Sequence, residues 1–264
     1  MNLQSLTDAK QQQKIRRICE EVQGLTGIQL GPQKHEMVLG RLSRRLRELN
    51  LGTLDQYVAL LERDPREKTS LIDILTTNKT SFFREARHFE VLERHLLKVV
   101  KSGNSEPTVW SAGCATGEEP YTMAIVARRA SIHARILATD ISSRALDAAR
   151  KGRYSRDSVK DLPDTTVRAH FVRCAEGLEV VPDTKALVSF ARLNLLGPWP
   201  MRGGFAAIFC RNVMIYFDRP TREALARRFY ELLAYGGLLF VGLSESLNGL
   251  DHGFDQVEPG AYRR

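Results

Sequence analysis

A strand, a glycine-bearing loop and a helix follow one another in the segment VWSAGCATGEEPY, from Val109 to Tyr121. The apolar start predicts a short buried strand, and EEPYTMAIVARRA has the composition and spacing of a helix. Gly113 and Gly117 let the backbone approach a ligand closely, and the first turn of the helix offers unpaired N–H groups. In doubly wound α/β folds, such a unit forms the entry to a nucleotide-type site.

Alternation of strands and helices continues from Thr108 to near the C-terminus, which predicts an α/β class with a mainly parallel, Rossmann-like sheet. The strand RILATD ends in Asp140, where such folds place an acid for ribose hydroxyls. Gly236 and Gly237 are expected to end the last helix. Residues from about 168 to 190 fit the alternation poorly and predict a small antiparallel β subdomain. The candidate strands are TVWSAG, RILATD, LVSFARLNL, FAAIFCRN and GLLFVGLSE, and the candidate helices are 118–130, 142–151 and 219–234.

The first part of the chain has helical periodicity throughout, which predicts an all-α domain over residues 1–85. Thr53 and Gln56 form the pattern of a capping box at a helix start. Helical spacing also extends from Thr80 to about Lys101. Residues 86–107 are therefore predicted to be a linker helix and loop, and residues 108–264 the α/β domain.

Composition narrows the class of protein without selecting a function. The 264 residues are 43% hydrophobic and 27% charged, which is typical of a globular protein. The N-terminus lacks a signal-peptide pattern and no apolar run reaches the length of a membrane span, so a cytoplasmic location without membrane insertion is expected. Four scattered cysteines predict reduced thiols, and no metal site is expected. The net charge of +8 suits an acidic partner, which composition alone leaves open between nucleic acid, an anionic membrane and an acidic protein.

Three further segments bring polar residues to the predicted ligand side of the sheet or next to the α/β domain. TTNKTSFFRE at 76–85 precedes that domain, whereas SFARLNLL at 189–196 and CRNVMIYFD at 210–218 follow apolar strands. Ligands of open sheets bind at the carboxyl ends of strands. With VWSAGCATGEEPY, ATDIS and GGLLFVGLSES, these segments resemble the CheR-type chemotaxis receptor methyltransferases, which are S-adenosylmethionine (AdoMet)-dependent protein-glutamate O-methyltransferases.

The resemblance implies an N-terminal helical domain followed by a class I AdoMet methyltransferase domain with an inserted β subdomain. It implies AdoMet as cofactor and S-adenosylhomocysteine as product. Glu119 matches the acidic contact of the family, and the adjacent Glu118 stays a second candidate. Arg84 and Tyr216 match the positions associated with catalysis. The cofactor contacts implied by the resemblance are Asn78, Thr80, Arg84, Glu118, Glu119, Asp140, Asn194, Leu195, Arg211 and Asn212.

The expected partner is the acidic helical bundle of a chemoreceptor, and the expected state is a monomer. Four arginines on the second predicted helix are candidates for receptor binding, namely Arg41, Arg44, Arg45 and Arg47. No tethering of a receptor C-terminal peptide is predicted, because the hairpin in CAEGLEVV is short.

Two other functions compete with receptor methylation. A nucleic-acid methyltransferase of the same fold would suit the positive charge, but neither an Asn/Asp-Pro-Pro-aromatic motif nor a Pro-Cys pair occurs in the sequence. No nucleic-acid partner is therefore expected. A non-catalytic AdoMet-binding adaptor is the second alternative.

Overall fold

The structure is a computed structural model that describes residues 3–264, with side chains from residue 12 onward. Residues 1 and 2, with which the predicted helical domain begins, lie outside this range. The chain divides into two compact units. The smaller one contains the chain up to Thr77 together with Tyr216–Asp218, and the larger one contains Asn78–Ile215 and Arg219–Arg264. This division differs from the predicted boundary at residue 85 and the separate linker at 86–107, because it assigns residues 78–107 to the larger unit.

Within the described residues, the smaller unit is helical, as the sequence predicts. Its core is formed by the predicted apolar stripes, which include the buried Ile18, Leu42 and Tyr57. Thr53 caps α3, because its hydroxyl accepts the Gln56 N–H and the Gln56 side chain accepts the Thr53 N–H, which is the predicted capping box. The helices are α1 (Leu3–Thr26), α2 (His35–Glu48), α3 (Leu54–Arg63) and α4 (Pro65–Leu75).

The larger unit contains a seven-stranded sheet in the order β6-β2-β1-β7-β8-β10-β9. The strands from β6 to β8 pair in parallel, while β10 runs antiparallel to both β8 and β9. The predicted α/β class and the strand RILATD are confirmed. The main strands are β1 (Thr108–Ala112), β2 (Arg135–Asp140), β6 (Val188–Arg192), β7 (Phe205–Cys210), β8 (Leu233–Val241), β9 (Asp255–Glu258) and β10 (Ala261–Arg263).

The strand order changes direction at β1, which has β2 on one side and β7 on the other. Ligands of open α/β sheets bind in the crevice outside the carboxyl ends of strands at such a switch point. Residues that follow Ala112, Asp140 and Cys210 therefore lie where a ligand is expected. The helices that cover the sheet or flank it are α5 (Arg87–Lys101), α6 (Glu118–Arg129), α7 (Ser143–Lys151) and α10 (Arg219–Leu232).

A second, three-stranded antiparallel sheet forms the inserted β subdomain, which confirms that part of the fold prediction. Its limits differ from the predicted 168–190, because an earlier strand takes part and Val188–Arg192 belongs to the main sheet. The subdomain strands are β3 (Arg153–Tyr154), β4 (Phe171–Cys174) and β5 (Gly177–Val180), with the short helices α8 (Asp164–His170) and α9 (Pro182–Lys185) beside them in sequence.

Two predicted helix limits are wrong. The stretch from Thr80 is helical only from Arg87, and Phe82 instead packs edge-on against Tyr154 at 4.9 Å and Phe171 at 5.4 Å, measured between ring centroids. Helix α10 ends at Leu232, before the expected glycine pair. Gly236 and Gly237 lie inside β8, in the irregularity where Phe205 pairs with Leu233 but Ala207 pairs with Leu238. None of the helices within residues 3–264 has the length and apolarity needed to cross a membrane.

Candidate active site

The loop between β1 and α6 has a conformation that requires its two glycines. Gly113 has φ +98°, and a Cβ placed there would lie 2.4 Å from Cγ2 of Val213 in the loop after β7. The Gly113 and Cys114 N–H groups donate to the Thr139 carbonyl at 2.8 and 2.9 Å. Gly117, with φ +97°, precedes α6 and packs against α7 and β3. The loop is thus fixed between the ends of β2 and β7.

Asp140, at the carboxyl end of β2, is joined to this loop through the main chain. One carboxylate oxygen accepts the Ala115 N–H at 2.8 Å, and the other accepts the Ser142 N–H at 2.8 Å. Its side chain is buried. A carboxylate oxygen has more than one lone pair and can accept more than one hydrogen bond.

Glu118 and Glu119 open α6, where carboxylates are favoured by the helix dipole. Both are buried, and burial raises the pKa of Glu118 and that of Glu119. Glu118 accepts the Thr116 hydroxyl at 2.7 Å. Glu119 accepts the Ser111 hydroxyl at 2.7 Å and lies 3.0 Å from Nη1 of Arg211, whose cation opposes the effect of burial. The two glutamates consequently differ in their surroundings, with Glu119 inside an ion-paired network.

Arg211 follows β7, and its side chain is only 2% exposed. Its guanidinium donates to Glu119, to Glu85 and to the Arg84 carbonyl. Arg211 thereby connects β7, α6 and the turn that precedes α5. These bonds engage Nε, Nη1 and Nη2 of the Arg211 guanidinium.

Arg84 lies in the turn at residues 82–86, and its Nη1 donates to the Lys79 carbonyl at 3.1 Å. Asn78 and Thr80, which precede this turn, are both half-buried. The Phe83 N–H donates to the Thr122 hydroxyl on α6 at 3.2 Å. The turn that contains Arg84 is therefore attached to α6.

Asn212 adopts a left-handed conformation with φ +58°. Its N–H donates to Oε2 of Glu245 at 2.6 Å, and the same oxygen accepts the Gly242 N–H at 2.6 Å. The other oxygen of Glu245 accepts the Ile215 N–H at 3.1 Å. A Cβ on Gly242 would lie 2.5 Å from the Asn212 side chain. Glu245 therefore holds the loops after β7 and β8 together.

Asn194 and Leu195 follow β6. The Leu193 N–H donates to the Asp140 carbonyl at 3.0 Å, which places this segment beside the end of β2. Oδ1 of Asn194 accepts the Leu196 N–H at 3.0 Å, and Leu195 is buried. Four strand ends, those of β1, β2, β6 and β7, thus bring predicted cofactor residues to one edge of the sheet.

Tyr216 is assigned to the smaller unit. Its carbonyl accepts the Gln29 N–H at 2.9 Å, and the Lys34 ammonium lies 4.9 Å from the centre of its ring.

In the same unit, the four candidate receptor-binding arginines fall into two pairs. The pairs differ in how extensively their guanidinium groups are hydrogen-bonded within the helical unit.

Arg41 and Arg45 are bonded within that unit. Arg41 donates to the carbonyls of Ile74 and Thr76 at 3.0 and 2.8 Å. Arg45 forms a two-point ion pair with Glu67 at 3.0 and 2.6 Å. Arg44 and Arg47, by contrast, are exposed. Nε of Arg44 lies 3.8 Å from Oε1 of Glu48, and Nε of Arg47 donates to the Ser43 carbonyl at 3.3 Å.

Sequence reasoning missed Ser111, Glu85 and Glu245. Each bonds to a predicted site residue or to its loop, but 8 to 158 positions separate the bonded partners. The motif GLSES carried a signal for Glu245, since it places an acid four residues after a buried strand, near the edge of the sheet where ligands bind. Cys114 is buried, and burial together with the nearby carboxylates raises the pKa of its thiol far above the ordinary value, so it is a packed thiol rather than a nucleophile.

The chain matches two family models, the "CheR methyltransferase, all-alpha domain" over residues 13–76 and the "CheR methyltransferase, SAM binding domain" over residues 78–262. A chemotaxis protein methyltransferase from Klebsiella aerogenes is 42% identical over 252 residues, which cover 91% of this chain and 85% of the relative. One from Escherichia coli (strain K12) is 42% identical over 251 residues, or 91% and 86% of the two chains. Chemotaxis protein methyltransferase 2 of Pseudomonas aeruginosa is 39% identical over 247 residues, or 90% and 88%.

The matched SAM binding domain identifies the larger unit as an AdoMet-binding methyltransferase domain, and its Rossmann-like sheet agrees with that class. The chain belongs to the CheR methyltransferase family. The residues present fit the cofactor, because AdoMet carries a sulfonium and an ammonium, and the loop after β1 is surrounded by the carboxylates of Glu118, Glu119 and Asp140. A phosphate site would instead need basic or neutral groups there.

Proposed function

We propose that this methyltransferase esterifies glutamate side chains of chemotaxis receptors and so serves sensory adaptation. The family match and the name shared by the relatives, chemotaxis protein methyltransferase, support this function. The observation that carries it within the structure is the group of three buried carboxylates, Glu118, Glu119 and Asp140, near the loop after β1 at the switch point, which suits a cationic methyl donor. The proposal places the protein in the cytoplasm, where receptor methylation regions lie, and its working state is a monomer.

The reaction needs little acid–base chemistry. A carboxylate oxygen of the substrate forms a bond to the methyl carbon, the carbon–sulfur bond breaks, and its electron pair goes to sulfur. A glutamate has an ordinary pKa near about 4.3 and is ionised at neutral pH, so no general base is required. AdoMet supplies the activated methyl group. The protein must mainly hold oxygen, carbon and sulfur in line.

We assign the cofactor-binding role to the residues around the crevice. Asp140 accepts hydrogen bonds from the ribose hydroxyls, and the loop at Gly113 passes close to the amino-acid end of the cofactor. Glu118 is the better candidate for direct contact with the cationic ligand, because Glu119 is engaged by Arg211 and Ser111. The remaining contacts in this assignment are Asn78, Thr80, Arg84, Asn194, Leu195, the main chain of Arg211, and Asn212.

We assign the orientation of the incoming carboxylate to Arg84 and Tyr216, through charge-assisted and phenolic hydrogen bonds. Arg84→Ala and Tyr216→Phe should each lower kcat by about tenfold to hundredfold, since a hydrogen bond to a charged group contributes roughly 1.5–3 kcal/mol. Steady-state kinetics with a receptor cytoplasmic fragment measure this effect. Tyr235→Phe is a matched control, because Tyr235 is 97% exposed at the far end of β8. Near-normal kcat in both variants, with normal AdoMet binding, would contradict the assignment.

For the receptor surface, the structure favours two of the four predicted arginines. Arg44 and Arg47 are exposed on α2, whereas Arg41 and Arg45 hold the helical unit together. We therefore propose that Arg44 and Arg47 contact the acidic receptor helices and that Arg41 and Arg45 support the helix that presents them.

A further inference from the structure

The turn that contains Arg84 has an unusual backbone. Phe83 and Glu85, which flank Arg84, have φ +51° and +57°. These are left-handed conformations that non-glycine residues rarely adopt, and each costs of the order of 1–3 kcal/mol unless the surroundings impose it. Such residues persist where other contacts determine the backbone. The turn must therefore be held from outside.

Arg211 supplies the central contact. Its Nη2 donates to the Arg84 carbonyl and lies 3.0 Å from Oε2 of Glu85, and its Nε lies 3.3 Å from the same oxygen. A guanidinium can make these contacts together because its donors form a rigid planar fork. The side chain of Arg211 is almost completely buried, so the bonds are shielded from water.

Glu119 and Glu85 fix the guanidinium from two sides. Glu119 accepts from Nη1 at 3.0 Å and is itself held by the Ser111 hydroxyl. Oε1 of Glu85 accepts the Leu243 N–H at 3.2 Å, which connects the turn to the loop after β8. Burial of the Arg211 charge carries a desolvation cost, and apolar residues could stabilise the same region without that cost. Stabilisation of the fold alone is therefore a poor explanation for a buried arginine beside the strained turn.

His88 lies beside Glu85 but does not provide it with a charged hydrogen-bond donor. Its Nε2 lies 3.0 Å from the Pro259 carbonyl, which can only accept, so the proton is on Nε2. Burial lowers the pKa of His88, and Nδ1 of the neutral ring, 3.4 Å from Oε2 of Glu85, has no hydrogen-bond partner among the residues that the structure describes. The favourable charged contact of Glu85 is therefore with Arg211 and not with His88.

We infer that Arg211, with Glu85 and Glu119, is a positioning residue that sets the backbone of the turn and thereby the direction of the Arg84 side chain. This inference rests on the proposed role of Arg84 in orienting the substrate carboxylate. In this role the buried Arg211 guanidinium positions the turn and does not contact the cofactor. A misplacement of about 1 Å in a positioning group can lower a rate by about a hundredfold, so the network controls kcat more than binding.

The test is a double-mutant cycle of Arg84→Ala and Arg211→Lys, with kcat and the receptor KM measured on a receptor cytoplasmic fragment and AdoHcy binding measured by calorimetry. Lysine keeps the charge but cannot form the fork. Arg211→Lys alone should lower kcat by about tenfold or more and change the receptor KM and the AdoHcy Kd by less than about threefold. In the Arg84→Ala background it should lower kcat by less than about threefold.

Arg264→Lys is the matched control, because Arg264 also donates to main-chain carbonyls, those of Glu231 and Leu233, but lies at the opposite end of the sheet from the crevice. It should leave kcat unchanged. If Arg211→Lys does not fold, Glu85→Gln replaces it in the cycle, since it removes the charge and keeps the side-chain volume.

Two results overturn the inference while Arg84→Ala remains impaired. One is an equal loss of kcat from Arg211→Lys in both backgrounds, and the other is a normal kcat in Arg211→Lys. A normal kcat in Arg84→Ala itself overturns the assigned role of Arg84, and the positioning inference with it. Absence of any receptor methylation by the wild-type protein overturns the proposed function as a whole.

Discussion

Main-chain N–H groups hold two carboxylates of the site. Asp140 accepts them from Ala115 and Ser142, and Glu245 from Asn212, Gly242 and Ile215. Hydrogen bonds from main-chain N–H groups to a carboxylate are charge-assisted, and they fix the position of the side chain. In both cases the bonds join a strand end to a loop at the edge of the sheet where a ligand is expected.

Position along the chain explains which residues the sequence could predict. Asp140 directly follows a strand in a recognisable pattern, so its place at the sheet edge was predictable. The role of Glu85 was not, because its partners Arg211 and Leu243 are 126 and 158 positions away. Only the folded chain brings such groups together.

Gly113→Ala should destabilise the protein by roughly 1–3 kcal/mol, since alanine is strained at φ +98° and its Cβ would meet Val213. AdoHcy binding should weaken in the same variant, because relief of the contact moves the loop. Chemical denaturation and calorimetry measure the two effects. Gly24→Ala is the control, because Gly24 lies in α1 with open space around it, and the change should stabilise by about 0.4–1 kcal/mol. Unchanged stability and affinity in Gly113→Ala would contradict the described loop.

At the scale of elements, the sequence correctly predicted those features of helices that depend only on neighbouring residues. The capping box of α3 was visible in the sequence and is present. The start of α5 was not, because Phe82 and Phe83 continue a helical pattern but are drawn into tertiary contacts with the β subdomain and α6. The glycine pair after α10 resembles a helix end, yet a Cβ on Gly237 would lie 3.0 Å from the Phe205 carbonyl, so glycine is needed for the strand irregularity.

Helix α2 provides the test of the receptor surface. Charge reversal of Arg44 and Arg47 together should raise the receptor KM about tenfold or more at low ionic strength, with kcat and AdoHcy affinity unchanged, because opposite charges steer and orient binding. The effect should shrink as salt is added. Arg63→Glu combined with Arg66→Glu is the control, with the same change of charge at exposed positions of α3 and α4. An equal rise in KM for both pairs would indicate a general charge effect and contradict a specific surface on α2.

At the scale of the whole molecule, the pattern of strands and helices predicted the α/β class, the helical N-terminal part and the inserted β subdomain. The order of strands and helices alone could not predict the cofactor or the reaction, since Rossmann-like sheets serve many cofactors. Segments from both sides of the glycine loop, read together, indicated AdoMet and a cationic ligand. The family match agrees with this reading over almost the whole chain.

The most direct test of the central claim is a transfer assay with methyl-tritiated AdoMet, in which a chemoreceptor cytoplasmic fragment and RNA are offered to the wild-type protein. We expect label on the receptor that mild alkali releases as methanol, as for a glutamate methyl ester, and that is absent when the methylatable glutamates are replaced. Alkali-stable label on RNA, or tight AdoMet binding with no transfer to the receptor, would contradict the account.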